Sequence, residues 1–420
     1  MPGRTSRRRL LAGAGAASVG VIAVGGAVAG NLAQRPAGRP PAAPPSPSPS
    51  PYGPHQSGIT DPTAAANQLI ALTLRPGVDA AALGRLLRLL TSDIEALMAG
   101  EPTPGDPARD LAQAGTGLRI TVGFGPRVFD LDGLGHRRPE GLVEIPPMTH
   151  DRLRPAHSGG DLLLMVAADE ATTVDHAARL LVRDADTFAT PHWVQTGSWR
   201  GTDGAGNPVT GRNLFGQIDG TGNAPLGSRE LSESLWSKET GDAGWFAGGT
   251  TLVVRRIEMN LDTWDQITRN EQQQAIGRRL DNGAPLAAVG IPPERAGEFD
   301  RPDFAARTGE GQLAIAADSH VRLAHPDNNA GRRILRRGLN YTETVHHDGA
   351  PPERSAGLVF LSYQADIATQ YVPIQRSLDR ADRLNDWTTA IGSAVFALPP
   401  GFQPGGWLGQ GLLDRPEAAR

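Results

Sequence analysis

The chain of 420 residues contains no cysteine. This absence excludes disulfide bridges, iron–sulfur clusters, thiolate zinc sites and covalent c-type haem, and it also excludes a lipid anchor on a cysteine side chain. The net charge of −4 at pH 7 argues against nucleic acid as a main partner, because phosphate binding needs a concentrated basic face. A hydrophobic content of 39% and a charged content of 20% are typical of a globular protein.

The N-terminus contains a run of arginines, from Arg7 to Arg9, followed by an apolar stretch from Ala12 to Ala29. This pattern predicts a twin-arginine (Tat) signal peptide over residues 1–29, cleaved after Ala29. The Tat translocase would then be a partner during export, and the mature protein would be periplasmic, cell-surface or extracellular. The alternative is a basic arm before one membrane helix, but small residues make the stretch a weak anchor.

Residues 30–56 are rich in proline and serine, which predicts a disordered, semi-extended linker with nothing to bury. The rest of the chain is long enough for two domains. We place an N-terminal domain at residues 57–215 and a C-terminal domain at residues 216–415.

The apolar periodicity alternates between helices and strands. Leucines recur at helical spacing from Val78 to Met98, which predicts an amphipathic helix. Each half is predicted to contain strands separated by two helices, the pattern of an α+β, ferredoxin-like unit with an antiparallel sheet. The other predicted helices are Val174–Asp184, one after Asp262 or Thr263, and Ile367–Leu378; the strands are Leu118–Phe124, Leu162–Ala167, Thr250–Leu261, His320–Leu323, Leu339–Val345 and Gly357–Tyr363.

Two features are candidates for chemistry. The glycine-rich segment from Gly216 to Asn223 contains one acid, Asp219. Alone it is usually a simple turn, and it lacks the lysine of a P-loop and the glycine spacing of a dinucleotide fold. His320 has no second histidine at metal-ligand spacing, so a zinc site is not indicated. A single histidine suffices for a haem iron, whose other four ligands belong to the porphyrin.

These features together resemble one family, the dye-decolorising peroxidases, and within it the Tat-exported bacterial branch that includes the deferrochelatase/peroxidases. The matching pieces keep the family's order from about Thr60 to Leu412. They are Gly216–Gly220 with its Thr-x-Asn tail, Leu252–Ile257 running to Thr263–Asp265, Glu271-Gln272, Gly277-Arg278, Gly283–Pro285, Asp318–Leu323, Leu335–Gly338 and Phe360–Asp366.

The resemblance implies a tandem of two ferredoxin-like domains and one non-covalent haem b per chain, held in the C-terminal half. It assigns His320 as the axial ligand of the haem iron, Asp219 as the distal acid and Arg336 as the distal arginine. It places Asp366 near the proximal imidazole, where its carboxylate would polarise the ring. The residues that it places around the haem are Gly220, Thr221, Gly222, Arg278, His325, Pro326 and Asp327.

The implied activity is that of a haem peroxidase, which reduces H2O2 through a ferryl intermediate and oxidises dyes, phenols or other organic donors. Asp219 would move the peroxide proton, and Arg336 would stabilise the developing negative charge. An acidic optimum is expected, since a carboxylic acid is ionised where a histidine is already protonated. The alternatives are a deferrochelatase or porphyrin-handling protein of iron uptake, and a non-enzymatic exported haem-binding protein.

Homo-oligomerisation is left open by the sequence. Because bulky donors do not fit a tight distal pocket, aromatic side chains could relay electrons to the haem, with ordinary core packing as the alternative for each of them. These aromatics are Trp193, Trp264, Tyr341, Tyr363, Tyr371 and Trp387.

Overall fold

The computed structural model describes residues 49–204, 207–346 and 351–414. The predicted signal peptide, residues 1–29, and residues 30–48 of the predicted linker lie outside the described residues. Within the described ranges, no helix has the length and apolar character needed to cross a membrane.

The last residues of the predicted linker pack against the folded body. The Gln56 side chain is buried and donates to the carbonyl oxygens of Val122 and Pro399, each at 2.9 Å, while its Oε1 accepts from the Val122 N–H at 2.8 Å. Tyr52 also forms a backbone bridge with Phe402. The prediction that disorder extends to residue 56 is therefore wrong for these residues, because Gln56 supplies hydrogen bonds that the sheet would otherwise lack.

Eight strands form the central part of the structure. In chain order they are β1 (Ala66–Leu74), β2 (Arg119–Phe124), β3 (Leu162–Ala168), β4 (Ala189–Ser198), β5 (Thr250–Met259), β6 (Leu335–Val345), β7 (Glu353–Gln364) and β8 (Thr388–Leu398). The α-helices are α1 (Ala80–Ala99), α2 (Ala171–Ala185), α3 (Arg229–Leu235), α4 (Leu261–Trp264), α5 (Arg269–Ile276), α6 (His320–Ala324), α7 (Val372–Ala381) and α8 (Gln410–Leu413). A π-helical turn, Ile367–Tyr371, precedes α7.

All strand pairs are antiparallel, which confirms the predicted antiparallel α+β class. The N-terminal strands pair in the order β4-β1-β3-β2 and the C-terminal strands in the order β6-β7-β5-β8. The two sheets join through the residue pairs Phe124–Ala397 and Ser198–Asn340, so that the eight strands close into one barrel. Closure was not predicted; it pairs the outermost strands of both sheets.

The core has two parts, one inside the barrel and one outside it. Alternate residues of each strand point inward, as Leu69 and Leu163 do, or outward, as Ile70 and Leu164 do. The outward residues of the N-terminal sheet are covered by α1 and α2. Helix α1 is capped by the Asp79 side chain, which accepts from the Ala82 N–H at 2.7 Å.

Several predicted elements appear within a few residues of their predicted bounds, including α1, α2, β2, β3, β5 and β7. The predicted strand at His320–Leu323 is wrong, because this segment forms α6 and the Leu323 N–H donates to the Ser319 carbonyl within the helix. Helix α4 is capped by the Asn260 side chain, rather than by Asp262 or Thr263. Strands β1, β4 and β8 were not predicted.

Candidate active site

Asp219 and Arg336 form an ion pair between the glycine-rich segment and β6. Arg336 Nη1 donates to Asp219 Oδ1, and the second carboxylate oxygen lies 3.4 Å from Asn213 Nδ2. The Asp219 N–H donates to the Gly211 carbonyl at 2.9 Å. Both side chains remain partly accessible, with 14% of Asp219 and 28% of Arg336 exposed, so a small molecule can reach the pair.

The glycine-rich segment is fixed to β6 by Asn223. Its side chain donates to the Arg336 carbonyl at 2.8 Å and accepts from the Arg336 N–H at 3.0 Å. A side-chain amide thus makes the two hydrogen bonds that a neighbouring strand would make. This arrangement explains the asparagine of the segment and holds Asp219 within reach of the guanidinium.

The glycines of the segment have separate roles. Gly216 and Gly220 have φ angles of 79° and 125°, which other residues rarely adopt. A Cβ at Gly222 would lie 3.8 Å from Arg336 Nη2, so Gly222 lies beside the guanidinium, and Gly220 and Thr221 directly precede it in the chain. The structure therefore places these predicted site residues around the Asp219–Arg336 pair.

His320 begins α6 and is held by Asp382. Its Nδ1 lies 2.6 Å from Asp382 Oδ2, while Asp382 Oδ1 accepts from the Leu384 N–H at 3.0 Å. The carboxylate is buried, with 3% exposed, and the imidazole is 35% exposed. Since Nδ1 is engaged, the other ring nitrogen, Nε2, is available to a ligand.

Backbone contacts bring His320 and Asp382 together from distant parts of the sequence. The Arg383 N–H donates to the Asp318 carbonyl at 3.1 Å, which joins the turn after α7 to the start of α6. Gly277, with a φ angle of 90°, lies against α6, where a Cβ would come within 2.5 Å of Val321 Cγ1. Only glycine allows this close approach without a shift of the helix.

Asp366 does not contact His320, and the prediction that it polarises the imidazole is wrong. Its Oδ1 accepts from the Thr369 N–H at 2.9 Å, so that it caps the π-helical turn. The carboxylate at the imidazole is Asp382, which the sequence reasoning missed. His320 and Asp382 are separated by 62 positions in the sequence, and no local pattern indicates such a pair.

Arg278 is a buried cation near both parts of the site. Its Nη1 donates to the carbonyl oxygens of Gly283 and Glu298, at 2.8 and 2.7 Å. Burial, and then the positive charge of Arg336, lower the pKa of Arg278 to about 10. An anionic group placed here would relieve this repulsion.

The segment His325–Asp327 forms a turn directly after α6. The Asp327 N–H donates to His325 Nδ1 at 3.2 Å, Pro326 begins the turn, and Asp327 bonds Arg301 at 2.8 Å. Burial lowers the pKa of His325; the charge of Asp327 opposes this shift, and the charge of Arg278 adds to it. His325 is thus a neutral group beside a cationic cluster at neutral pH.

Comparisons with known proteins match both halves of the chain. Residues 56–198 match the family "Dyp-type peroxidase, N-terminal", and residues 210–403 match "Dyp-type peroxidase, C-terminal". The chain belongs to the Dyp-type peroxidase family. It is accordingly a peroxidase, and its cofactor is haem.

Three relatives illustrate the match. A dye-decolorizing peroxidase of Thermobifida fusca is 37% identical over 86% of this chain and 84% of its own length. A deferrochelatase of Yersinia pestis is 31% identical over 97% of this chain and 95% of its own. The structure of ferric DtpA from Streptomyces lividans superposes with a TM-score of 0.82, at 35% identity, and the match covers 90% of this chain and 100% of that one.

The residues of this Dyp-type peroxidase fit a haem. In His320, Nδ1 is bound to the buried carboxylate of Asp382, and Nε2 is left free. A free imidazole nitrogen is a ligand that haem iron accepts. The buried Arg278 guanidinium suits the negatively charged propionates of the porphyrin. Among the described residues, no group of three or more metal-binding side chains offers a competing metal site.

Proposed function

We propose that His320 would hold the haem iron and that Asp219 and Arg336 act on H2O2. The observation that carries the proposal is the Asp219–Arg336 pair, a proton acceptor and a permanent cation held together and still partly exposed. A protein that only carried haem would gain nothing from this pair. The proposed roles are those of a peroxidase in which the chain supplies both the proton transfer and the charge stabilisation.

Bound haem iron supplies the redox centre that receives the oxidising equivalents of H2O2. The Asp219 carboxylate accepts a proton from one peroxide oxygen and returns it to the other, which leaves as water. Arg336 stabilises the negative charge on the leaving oxygen, since its guanidinium stays protonated. Two electrons and two further protons complete the reduction of H2O2 to two water molecules, and the electrons come from organic donors such as phenols or dyes.

The pairing of His320 with Asp382 supports the same assignment. A buried carboxylate on Nδ1 gives the imidazole anionic character, and an anionic ligand favours higher oxidation states of a metal. The Asp382 carboxylate also fixes the ring orientation. We therefore assign Asp382 as a positioning residue for His320.

A second function, removal of iron from haem, is favoured by the similarity to the deferrochelatase of Yersinia pestis over nearly the whole chain. Incubation of the haem-bound protein under reducing conditions without peroxide separates the two functions. A peroxidase alone keeps the spectrum of an iron porphyrin, ferric or reduced to ferrous, whereas a deferrochelatase exchanges the iron for two protons and gives the spectrum of the metal-free porphyrin.

We also propose that the barrel consists of two ferredoxin-like units, at residues 57–215 and 216–415, with the haem in the second. The support is the strand order, which is the same in both sheets when the strands of each half are numbered from its start. The residues that we assign to the haem, from Asp219 to Asp382, all lie in the second unit.

For export, we propose the Tat pathway, on the basis of Arg7 to Arg9 and the apolar stretch that follows. Replacing Arg7 and Arg8 together by lysine should retain the protein in the cytoplasm with its haem bound. Unchanged export of the double variant would refute this assignment.

The peroxidase roles are tested by stopped-flow measurement of the Soret change after mixing with H2O2. Asp219→Asn keeps the size of the side chain but removes the proton acceptor, and Arg336→Leu removes the charge. Each variant should react about 10²- to 10⁴-fold more slowly while its haem content stays near that of the wild type. Asp265→Asn, at an exposed position outside the site, is the matched control. Wild-type rates in both site variants would refute the proposed roles.

A further inference from the structure

A small cavity lies inside the barrel, on the side of β6 opposite to the active site. Its volume is about 30 Å³, and it is lined by inward-facing residues of β2, β3, β6 and β7 together with the segment between Gly58 and Asn67. Since successive strand residues point to opposite faces, Arg336 faces the active site and Arg337 faces the cavity. The cavity is thus separate from the site described above.

Among the polar side chains that line this cavity are those of Arg119, Arg337 and Tyr363. Arg119 Nε and Nη1 are buried and have no hydrogen-bond partner. The Tyr363 hydroxyl is also unpartnered, although the residue is only 1% exposed. The Arg337 guanidinium donates to the Asp61 carbonyl and lies 3.3 Å from Thr63 Oγ1, so both of these hydrogen-bond partners are uncharged.

The charge around the cavity is not balanced. No aspartate or glutamate is among the residues that line it. Asp61, the nearby acid, uses its Oδ2 to accept from the Gly58 N–H at 2.6 Å. Burial lowers the pKa of Arg337; interactions with Tyr363 and with the Asp61 charge oppose this shift, and the charge of Arg119 adds to it. Two guanidinium groups, those of Arg119 and Arg337, therefore have one nearby carboxylate, that of Asp61, so one positive charge has no partner of opposite sign, which is unfavourable unless an anion is present.

We propose that this cavity binds one small monovalent anion of the chloride class. An anion accepts hydrogen bonds from the Arg119 and Tyr363 donors at once and neutralises part of the guanidinium charge. A volume of about 30 Å³ holds a monatomic anion or about two waters, whereas a phosphate or sulfate is too large. Water molecules satisfy the donors but leave the excess positive charge of Arg119 and Arg337 uncompensated.

The test uses the full-length haem-bound protein and two readouts at constant ionic strength, with chloride replacing gluconate, which is too large for the cavity. The melting temperature should rise with chloride and reach a plateau, because a ligand that binds only the folded state stabilises it. The ³⁵Cl NMR line of chloride should broaden in the presence of the protein. Soret spectra recorded alongside report any chloride that binds at the iron instead.

Variants locate the anion. Arg119→Gln should lose both the chloride-dependent rise in melting temperature and the line broadening, while the exposed Arg109→Gln should keep both. Tyr363→Phe removes one donor and should weaken chloride binding several-fold, which provides a second test if Arg119→Gln does not fold. Equal melting temperatures in chloride and gluconate, or a chloride effect that persists unchanged in Arg119→Gln and Tyr363→Phe, would overturn the proposal.

Discussion

The two sheets of the barrel have the same strand order but different covers. The N-terminal sheet is covered by α1 and α2, which have 20 and 15 residues, and between β1 and β2 the principal element is α1. Between β5 and β6, at the equivalent place in the C-terminal sheet, residues 260–334 form only three α-helices, of 4, 8 and 5 residues. The connection that is a single long helix in one half is a long, irregular segment in the other.

This difference explains why the residues that we propose for the chemistry lie in one half. A long helix such as α1 covers a sheet with leucines and leaves no space for a ligand. The irregular segment instead carries Arg278, His320 and His325, and short helices let their polar side chains point away from the core. Equal topology is therefore compatible with a stable core on one sheet and the proposed cofactor site on the other, in agreement with the rule that function depends on the site rather than on the fold.

The largest expected effect comes from His320→Ala, because it removes the side chain that we propose as the protein ligand of the haem iron. The Soret band should be lost or strongly shifted, and the haem content should fall, while far-ultraviolet circular dichroism stays that of a folded protein. His192→Ala, at an exposed position of β4 in the N-terminal sheet, should keep the wild-type spectrum. A normal ferric spectrum in His320→Ala would move the ligand elsewhere, with His325 as the next histidine to test.

A substitution in the N-terminal half should have the opposite result, a loss of stability without a change at the haem. Leu90 on α1 is fully buried, and Leu90→Ala should lower the free energy of unfolding by about 2–5 kcal/mol. Its neighbour Leu89 is 40% exposed, so Leu89→Ala should lower the free energy of unfolding by less than about 1 kcal/mol. Urea unfolding measures both values, and the Soret maximum should not move in either variant. A Soret shift in Leu90→Ala would show that the two halves are not independent in function.

The sequence predicted best what depends on neighbouring residues. The leucine stripe of α1 has helical periodicity, and the segment with Asp219 has a recognisable composition. Barrel closure was not predicted, since it depends on single pairs such as Phe124–Ala397 between distant strands. Asp366 was assigned to the imidazole because it follows a strand in a matching motif, but an acid at that position also caps a helical turn. Asp382 was missed because only the folded chain brings it to His320.

A smaller effect is expected from the acid at the imidazole. Asp382→Asn keeps the shape but removes the charge, so haem affinity or peroxidase activity should fall about 10- to 100-fold. The reduction potential of the iron should rise, because the imidazole loses anionic character. Asp366→Asn makes the same chemical change at the cap of the π-helical turn, where asparagine caps as well as aspartate, and should leave both quantities near the wild-type values. A larger effect of Asp366→Asn would reverse the assignment of the two carboxylates.

The smallest effect concerns a buried acid of the N-terminal half, which contrasts with the well-partnered Asp382. Asp93 on α1 is 2% exposed, and its Oδ2 has no hydrogen-bond partner. Burial raises the pKa of Asp93 to about 7, and the charge of Asp184 and a hydrogen bond to it add to the shift, against the opposing charge of Arg183. The folded state therefore keeps a proton that the unfolded state has lost above about pH 4.

The sign of the pH dependence follows from this proton. Between about pH 4 and pH 7 the unfolded chain binds fewer protons at Asp93 than the folded chain, so the contribution of Asp93 to stability falls as the pH rises and then levels off. Asp93→Asn should remove this decline. Its free energy of unfolding, relative to that of the wild type, should therefore rise by on the order of 1–2 kcal/mol from pH 4 to pH 8. Urea unfolding across this range measures the gain, with the exposed Asp175→Asn on α2 as the control. If the stabilities of Asp93→Asn and the wild type differ by a constant amount at every pH, the Asp93 carboxyl is ionised in the fold, and the N-terminal half accommodates a buried charge on α1.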